Sequence, residues 1–511
     1  MALSLALCIF SKKAILINSH VKIKFLLSKK YLTPKRWFIT LKKMNWADLF
    51  EWGGWFGLVL VWLSLGLMFI YSLVEKEKRA ATRSGVLFFL FLVFLGGKFI
   101  FTPQVFDPFS YLGVSLGWLA LLTIFLILVS PAPRETIKVS SLPARVDERD
   151  VIFARFDLEK DSPLYEEYYH QHEHLRSRDE EIRRLPDLLD RSYWEKSPWE
   201  FALAEAEFDF IEELLTLVEQ PPLSSRFTFP PDRATVMVKR LALYLGAKLC
   251  GVAAVENSFI YSHVGRGPEP YGQPISLKHP YAIVFAVEMD LAMVANAPQA
   301  PVVVETSKRY TEAAHISIVL AKTIQKLGYS ARAHIAGSNY QVMLPPLAWK
   351  AGLGELGRSG IIITYPYGPR VRLGVVTTDL PLIPDKPVSF GVQDFCAACL
   401  KCARCCPAQA ISKGERQIDN GVTRWVIDRE ACYRFWRQVG TDCATCLFVC
   451  PYSKENNFFH RVVREITRSS KLAQKLAVRG DDFFYGSRPQ ARSSPLVGLT
   501  RVNSPPHQKQ K

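Results

Sequence analysis

Three long apolar stretches near the amino terminus dominate the hydropathy pattern of this 511-residue chain. They are Trp52–Val74, Gly85–Phe101 and Phe109–Ser130, and the only charge inside them is Lys98. Each is close to the roughly 20 residues that cross a bilayer, and tryptophan and tyrosine lie near their ends. The pattern predicts three transmembrane helices within residues 45–130. Three buried helices of a soluble protein are the alternative.

The distribution of lysine and arginine predicts an orientation for these spans. The loop between the first two stretches and the segment after the third are both basic, so three spans place both on the cytoplasmic side. Residues 1–44 oppose this arrangement because they contain ten Lys and Arg and no Asp or Glu. A start at Met44 removes the conflict. We therefore expect residues 1–43 to be an over-extended start or a leader, and the chain to be a multi-pass inner-membrane protein facing the cytoplasm.

Beyond the spans, the composition divides the chain into four further regions. Residues 131–230 are charged and aromatic and are expected to be a linker and cap. Residues 231–385 carry the pattern of a globular domain, and residues 386–470 carry most of the cysteines. Residues 471–511 are predicted to be a mostly disordered tail, because Ser, Pro, Arg and Lys predominate towards its end.

The globular region alternates amphipathic helical segments with apolar strands. Helices are predicted over Arg233–Gly246 and Thr311–Leu327, and a further helix over Pro198–Val218 in the cap. Strands are predicted over Tyr281–Met289 and Arg372–Thr377. This order indicates an α/β or α+β domain with helices packed on a sheet.

Eight cysteines in residues 386–470 have the spacing of a two-cluster ferredoxin. The first run is Cys396-x2-Cys399-x2-Cys402-x3-Cys406-Pro407, and the second is Cys432 followed by Cys443-x2-Cys446-x3-Cys450-Pro451. In such runs three cysteines bind one [4Fe–4S] cluster and the fourth binds the other. The predicted ligand sets are Cys396, Cys399, Cys402 and Cys450 for the first cluster, and Cys406, Cys432, Cys443 and Cys446 for the second.

Two cysteine positions need comment. A standard second run has a cysteine where this chain has Gly440, and Cys432 is the natural substitute. Cys405 adjoins Cys406, but the x3 spacing and the following proline favour Cys406 as the ligand. Zinc sites and disulfides are the alternatives, although zinc ligands usually come as separated C-x2-C pairs without the C-x3-C-P ending.

The net charge of +16 limits the possible partners only when the distribution of charged residues along the chain is considered. Ten of these positive charges lie in residues 1–44. The globular part has no interleaved basic and aromatic patch of the kind that binds nucleic acid, so we expect no nucleic-acid partner. Most cysteines belong to the predicted metal sites rather than to bridges, which is typical of a reducing compartment.

Glycine-rich turns in the globular region contain many polar residues. Gly354 and Gly357 allow the backbone to approach a flat or phosphate-bearing ligand closely, with structural turns as the alternative explanation. His170, His172 and His174 alternate in an acidic stretch of the cap. Solvated surface histidines explain that alternation better than a metal site does.

Several separate motifs in this chain resemble the reductive dehalogenases. They are Asp147–Arg155, His279–Asp290, Ala331–Gly360 and Gly368–Leu382, followed by the cysteine pattern. The resemblance implies a corrinoid held in a nitroreductase-like α/β domain and a ferredoxin-like domain with two [4Fe–4S] clusters. It further implies removal of halide from an organohalide, with halogenated phenols or other aromatics as the expected class. The corrinoid is expected base-off, because the D-x-H-x-x-G motif that supplies a histidine to cobalt is absent.

The resemblance also implies roles for individual residues. The family's proton-donating tyrosine follows a threonine by four residues, as Tyr310 follows Thr306. A phenol donates a proton readily only beside a cation that stabilises the phenolate, and Arg372 is the expected cation, with Arg370 as the close alternative. Asn339 is similar to a family position that contacts substrate or cofactor. We group Thr306, Asn339, Gly354 and Gly357 as cofactor-binding, and Arg370, Arg434 and Arg437 as weaker substrate-binding candidates.

Some features depart from the respiratory members of that family. Those members carry a twin-arginine export signal and a separate membrane anchor, whereas this chain has no such signal and carries its three spans fused at the front, like the transmembrane subgroup. The electron donor is either a low-potential protein or a quinol. Two other functions compete: an epoxyqueuosine-reductase-like corrinoid enzyme, and a membrane iron–sulfur protein that only transfers electrons.

Overall fold

The computed structural model describes residues 46–100, 103–130, 136–336, 340–488 and 496. Three helices come first: α1 (Trp46–Val74), α2 (Lys78–Ile100) and α3 (Pro103–Val129). All three are long and apolar enough to cross a membrane, as the hydropathy pattern predicts. Each begins before its apolar stretch, since the polar residues that precede the stretch continue the same helix. The side chain of Lys98 lies outside the described residues.

Helices α1 and α3 touch through glycines. A Cβ atom at Gly117 would lie 1.7 Å from the carbonyl oxygen of Gly54, and one at Gly57 would lie 2.2 Å from the carbonyl oxygen of Gly117. Small residues at such spacing let helix backbones approach closely where apolar surroundings provide no hydrophobic driving force. The glycines therefore determine how near the two helices lie.

The cap consists of four helices: α4 (Ile152–Asp157), α5 (Pro163–Gln171), α6 (Glu173–Arg183) and α7 (Pro198–Glu213). The helix predicted over Pro198–Val218 is confirmed, with its last turn tightened to a 3-10 helix. His172 stacks on Tyr168 and its Nδ1 lies 3.0 Å from the Tyr168 carbonyl oxygen. The interpretation of this histidine stretch as solvated surface residues stays a prediction.

The globular domain is built on one antiparallel sheet in the order β1, β2, β6, β3. Those strands are β1 (Leu249–Ala254), β2 (Tyr281–Glu288), β3 (Ala331–His334) and β6 (Val371–Thr378), and the short pair β4 (Gly354–Leu356) and β5 (Ile362–Thr364) stands apart. Six consecutive residues of β2 are fully buried because both faces of this central strand are covered. The predicted strands are confirmed, and the antiparallel pairing makes the domain α+β.

Three helices pack on this sheet: α8 (Pro231–Tyr244), the long α10 (Pro301–Lys326) and α11 (Leu344–Lys350). The short helix α9 (Leu291–Val294) precedes α10. Pro301 occupies the first turn of α10, where the missing N–H is tolerated, so the helix begins ten residues before the predicted Thr311. Its buried face joins the core beneath the sheet.

The cysteine-rich region ends in two ordered helices, α16 (Phe458–Ser469) and α17 (Lys471–Tyr485). The prediction of a mostly disordered tail from residue 471 is therefore wrong for its first part. Ser470 caps α17 by accepting a hydrogen bond from Ala473 N, and α17 packs against α2. Arg83 of α2 donates to the Phe483 carbonyl, so the loop after α1 lies on the same side as the cysteine-rich region.

Replacing Gly117 with valine should separate α1 from α3, because a side chain there meets the Gly54 backbone. We expect a loss of about 1–3 kcal/mol of stability, the usual cost of overpacking, measured as a lower midpoint of thermal unfolding in detergent. Gly96→Ala is the matched control, since nothing lies within 4 Å of a Cβ at Gly96. Equal unfolding midpoints for wild type and Gly117→Val would contradict this packing.

Candidate functional site

Four short helices carry most of the cysteines: α12 (Val392–Cys399), α13 (Lys401–Cys405), α14 (Arg429–Val439) and α15 (Thr445–Phe448). Leu400 joins the first two with a left-handed conformation at φ 57°, and Ala444 precedes the last at φ 46°. These unusual non-glycine conformations turn the chain sharply, so that successive cysteines face a common centre.

The first predicted ligand set is gathered in one place. Burial, and then the neighbouring Cys396, Cys399 and Cys402, raise the pKa of Cys450 well above its usual value. Burial also raises the pKa of Cys399 to about 12, with a contribution from Cys402. Thiols that hold one another protonated become thiolates when a cationic metal centre lies among them.

The second set is gathered in the same way. Burial raises the pKa of Cys446 well above its usual value, and Cys402, Cys443, Cys432 and Cys406 each add to the effect. Cys402 belongs to the first set, so the two groups of thiols lie close together. This geometry suits one electron-transfer path through two clusters.

The structure explains why Cys432 replaces a cysteine at position 440. Gly440 ends α14 in a left-handed conformation at φ 75°. A Cβ atom there would lie 2.4 Å from the ring of Tyr193, so a cysteine does not fit. Cys432 lies on α14 itself, and burial, then Cys443 and Cys406, raise its pKa to about 12. Cys405 points elsewhere, with its Sγ 3.2 Å from the Ser487 carbonyl oxygen.

The thiol geometry suits iron–sulfur clusters better than zinc. No group of three or more His, Cys, Asp or Glu residues in the described part of the chain is spaced for a single ion. Thiolates around a four-iron cubane stand farther apart than those around one ion. Protein surrounds three of these side chains, yet they keep some accessible surface: Cys402, Cys446 and Cys450. This is expected of side chains that line a space for a bulky group.

A polar network connects the second cysteine set to the sheet. Thr306 Oγ1 donates to Asp442 Oδ2 at 2.7 Å, and Arg372 Nη2 donates to Thr306 Oγ1 at 2.7 Å and to Asp442 Oδ2 at 2.9 Å. Asp442 immediately precedes the predicted ligand Cys443. The sequence analysis missed Asp442, although its position beside a ligand cysteine was the available signal.

Tyr310 lies against this network. The guanidinium carbon of Arg372 is 5.0 Å from the centre of the Tyr310 ring. Burial alone would lower the pKa of Arg372, but Tyr310, Asp442 and Tyr340 outweigh it, so the pKa is raised and the guanidinium stays charged. The structure thus brings together Thr306, Tyr310 and Arg372, all singled out from the sequence.

Two further tyrosines lie near this network, and the surface that they and Tyr310 keep leads us to infer a cleft there. Burial raises the pKa of Tyr261 to about 12 and raises that of Tyr340 further, yet both side chains, like that of Tyr310, keep accessible surface. Among the described residues, Arg372 Nε and Asp442 Oδ1 are buried without a hydrogen-bond partner. Unpaired polar atoms beside an interior space are expected where a ligand with polar groups binds.

Two of the predicted cofactor-binding glycines are explained by protein contacts. A Cβ at Gly354 would lie 2.3 Å from the Ile363 carbonyl oxygen, and one at Gly357 would lie 2.6 Å from Ile363 Cδ1. Both glycines therefore permit close packing against β5, and their expected approach to a ligand stays a prediction. Asn339, the remaining cofactor-binding prediction, lies outside the described residues.

The three arginines predicted as weaker substrate contacts point away from the cleft. Arg370 is 1 % exposed, and its guanidinium donates to the carbonyl oxygens of Ser453, at 2.8 Å, and Met289. Arg437 donates to the Leu185 and Pro186 carbonyls, and Arg434 pairs with Glu181 at 2.6 Å on the surface. These contacts connect parts of the fold, and the substrate-binding role of the three arginines stays a prediction.

Comparison with known proteins identifies both parts of this site. Residues 395–454 match the family described as "4Fe-4S dicluster domain". A tetrachloroethene reductive dehalogenase of Desulfitobacterium hafniense is 32% identical over 305 residues, which cover 50% of this chain and 55% of that protein. The chain thus spans about half the length of such curated relatives. An epoxyqueuosine reductase of Lactococcus garvieae is 29% identical over 157 residues, 28% of this chain and 43% of its own length.

Solved structures agree with the sequence comparison. The catabolic reductive dehalogenase NpRdhA in complex with 3-bromo-4-hydroxybenzoic acid matches with a TM-score of 0.57 and 26% identity, covering 71% of this chain and 50% of that one. A structure described as suggesting a mechanism for B12-dependent dehalogenation matches with a TM-score of 0.56 and 25% identity, covering 72% and 51%. The resemblance to reductive dehalogenases is confirmed.

Replacing Cys432 with serine should remove one cluster, because serine is a poor ligand for iron. We expect iron to fall from about eight to about four atoms per chain, as two cubanes with separate ligand sets require, measured on anaerobically purified protein. Cys405→Ser is the matched control and should keep its full iron content. Unchanged iron in Cys432→Ser would exclude Cys432 as a ligand.

Proposed function

From the homology of half of this chain to reductive dehalogenases, we propose that it removes halide from an organohalide. The reaction is R–X + 2 e⁻ + H⁺ → R–H + X⁻. The observation that carries the proposal is the position of Tyr310 beneath the Arg372 guanidinium, next to the Asp442–Cys443 segment of an iron–sulfur site. Electrons and a proton thereby reach one cleft.

Tyr310 is the proposed proton donor. An ordinary phenol, with a pKa near ~10, donates poorly at neutral pH unless a cation stabilises the phenolate that remains. Arg372 is that cation, and Thr306 and Asp442 hold its guanidinium in position.

The cofactor proposed for the cleft is a corrinoid in its base-off form, in a domain of nitroreductase-like fold. When bound, a corrinoid supplies low-valent cobalt that receives the electrons and attacks the carbon–halogen bond. The enclosed cleft beside Tyr310 and Tyr340 suits such a group. Asn339 and Thr306 are the residues proposed to contact it, and Tyr340 would exclude water from the reacting atoms.

A halogenated phenol is the proposed substrate class. The buried Nε of Arg372 has no partner among the described residues, so it is available to donate to a phenolate oxygen. The same guanidinium would then orient the substrate and stabilise the Tyr310 phenolate. Neutral organohalides lack this interaction and should bind more weakly.

Replacing Tyr310 with phenylalanine tests this function. We expect anaerobically purified protein to retain about one cobalt and about eight iron atoms per chain, while halophenol turnover with a low-potential donor falls about 10²- to 10⁴-fold, the usual contribution of a general acid. Tyr244→Phe, on an exposed tyrosine of α8, should match wild type. Full activity of Tyr310→Phe would exclude Tyr310 as the donor.

The same metal analysis separates the two competing functions. Wild-type protein with iron but no cobalt would favour a membrane iron–sulfur protein that only transfers electrons. Cobalt with activity on epoxyqueuosine in tRNA, and none on halophenols, would favour the epoxyqueuosine-reductase-like function.

A quinol is the proposed electron donor, and a cavity of about 180 Å³ is its proposed site. An engineered cavity of about 150 Å³ holds benzene, so this volume accommodates one substituted ring. Its lining includes Met68 of α1, Phe395 and Tyr452 beside the first cysteine set, and His460, Phe484 and Tyr485. The cavity therefore lies between a helix able to cross a membrane and the first cluster site.

A buried acid–base pair stands at this cavity. Glu75 Oε1 lies 3.2 Å from His460 Nε2, and their side chains are 5 % and 8 % exposed. Tyr485 Oη is 3.3 Å from the same nitrogen. Oxidation of a quinol releases two electrons and two protons, and His460 with Glu75 would accept the protons. The basic loop after α1 lies on the same side as this cavity. We therefore propose that the cavity and the metal region face the cytoplasm.

Replacing Glu75 with glutamine should impair only the quinol-dependent reaction, because the amide cannot accept the proton. We expect quinol-supported turnover to fall at least tenfold, while turnover with reduced methyl viologen stays at the wild-type rate. Glu173→Gln, on the exposed surface of α6, is the control. Equal losses with both donors would show that Glu75 has a structural role instead.

A further inference from the structure

Arg358 is a buried arginine beside the first cysteine set. Its side chain is held by three backbone carbonyls: Nε donates to the Cys396 oxygen at 3.1 Å, and Nη1 donates to Ser412 at 2.8 Å and Gly414 at 2.9 Å. The residue is 3 % exposed. Its guanidinium carbon lies 4.4 Å from the centre of the Trp425 ring. The charge is therefore fixed in position and shielded from water.

No carboxylate in the described ranges lies within salt-bridge distance of Arg358. Two other buried cations of the region are paired, Lys401 with Asp481 and Arg372 with Asp442. Arg464, also buried, donates to the Tyr452 and Lys454 carbonyls. Burial lowers the pKa of Arg358, while Cys396 and Cys402 act in the opposite direction. Backbone carbonyls satisfy its hydrogen bonds without neutralising it, so the nearest compensating charges are those of the first ligand set.

We propose that Arg358 raises the reduction potential of the cluster bound by Cys396, Cys399, Cys402 and Cys450. One-electron reduction takes this cluster from [4Fe–4S]²⁺ to [4Fe–4S]⁺ and adds one negative charge among four thiolates. A fixed cation in a low-dielectric interior stabilises the reduced form more than the oxidised form. Arg358 is a positioning residue, because it acts through the cluster. Its role does not depend on the proposed dehalogenation.

The second cluster site lacks an equivalent charge among the described residues. The guanidinium of Arg372 is paired with Asp442, the residue immediately before Cys443. The two clusters are therefore predicted to differ in potential, with the first reduced more easily. The first ligand set lies on the side of α1. The cluster bound there would therefore receive electrons from the membrane side and hold them for the second cluster.

A redox titration of the holoenzyme followed by electron paramagnetic resonance tests the proposal. Arg358→Gln should lower one of the two midpoint potentials enough to change the ratio of reduced to oxidised cluster at least tenfold, which is 59 mV for one electron, and leave the other unchanged. Arg416→Gln is the matched control, since Arg416 lies over the same Trp425 ring at 5.3 Å but is partly exposed. Iron content is measured on each variant.

The outcomes separate charge from structure. Arg358→Lys keeps the charge and loses part of the carbonyl contacts, so it should restore most of the potential. Unchanged potentials in Arg358→Gln with full iron content would overturn the proposal, as would equal shifts in the Arg358 and Arg416 variants. If Arg358→Gln fails to hold iron, the test is made on Arg358→Lys instead. A midpoint potential lowered in that variant by the equivalent of a tenfold change in the ratio of reduced to oxidised cluster would also overturn the proposal.

Discussion

The organisation of this protein depends on the burial of eight thiols in two adjacent groups. Burial, and then the neighbouring thiols, raise the pKa of Cys446 and Cys450 well above the usual value, so neither ionises readily until metal provides the compensating charge. The short helices, the left-handed residues between them and the glycine that ends α14 all serve to bring the thiols to common centres. We infer that cluster insertion and folding of this region are coupled, and that the neighbouring sheet and membrane helices gain fixed partners only then.

Polar contacts attach this metal region to both of its neighbours. Towards the sheet, Asp442 joins Thr306 and Arg372, and Arg370 reaches across to the Ser453 and Met289 carbonyls. Towards the membrane, Glu75 meets His460. These contacts are buried, and truncating one partner of a buried charged pair leaves the other uncompensated at a cost of several kcal/mol. These few groups therefore help to fix the relative positions of the apolar helices, the cluster sites and the sheet. Apolar contacts contribute as well, such as those that join Met289 and Val294 to Ala444 and Leu447.

The sequence predicted the elements with strong local patterns, namely the three apolar helices, the buried strands and the cysteine sets. It could not separate Arg370 from Arg372, because residues two apart share a face of a regular strand. Only the structure shows that β6 begins at Val371 and leaves Arg370 outside it. Asp442 was missed because a single aspartate has no periodic signature. The helix α17 was missed because its order comes from tertiary packing against α2, which composition does not record.

The fusion of the spans to the metal region has a consequence for assembly. In a two-subunit arrangement, the contact between Glu75 and His460 would depend on the concentrations of both partners and on their affinity. Here the contact is intramolecular, so its strength is set by an effective concentration, of the order of millimolar for short connections, that does not change when the protein is diluted in the membrane. Each chain therefore carries its own contact between the apolar helices and the metal region, in a ratio of one to one, at any level of expression.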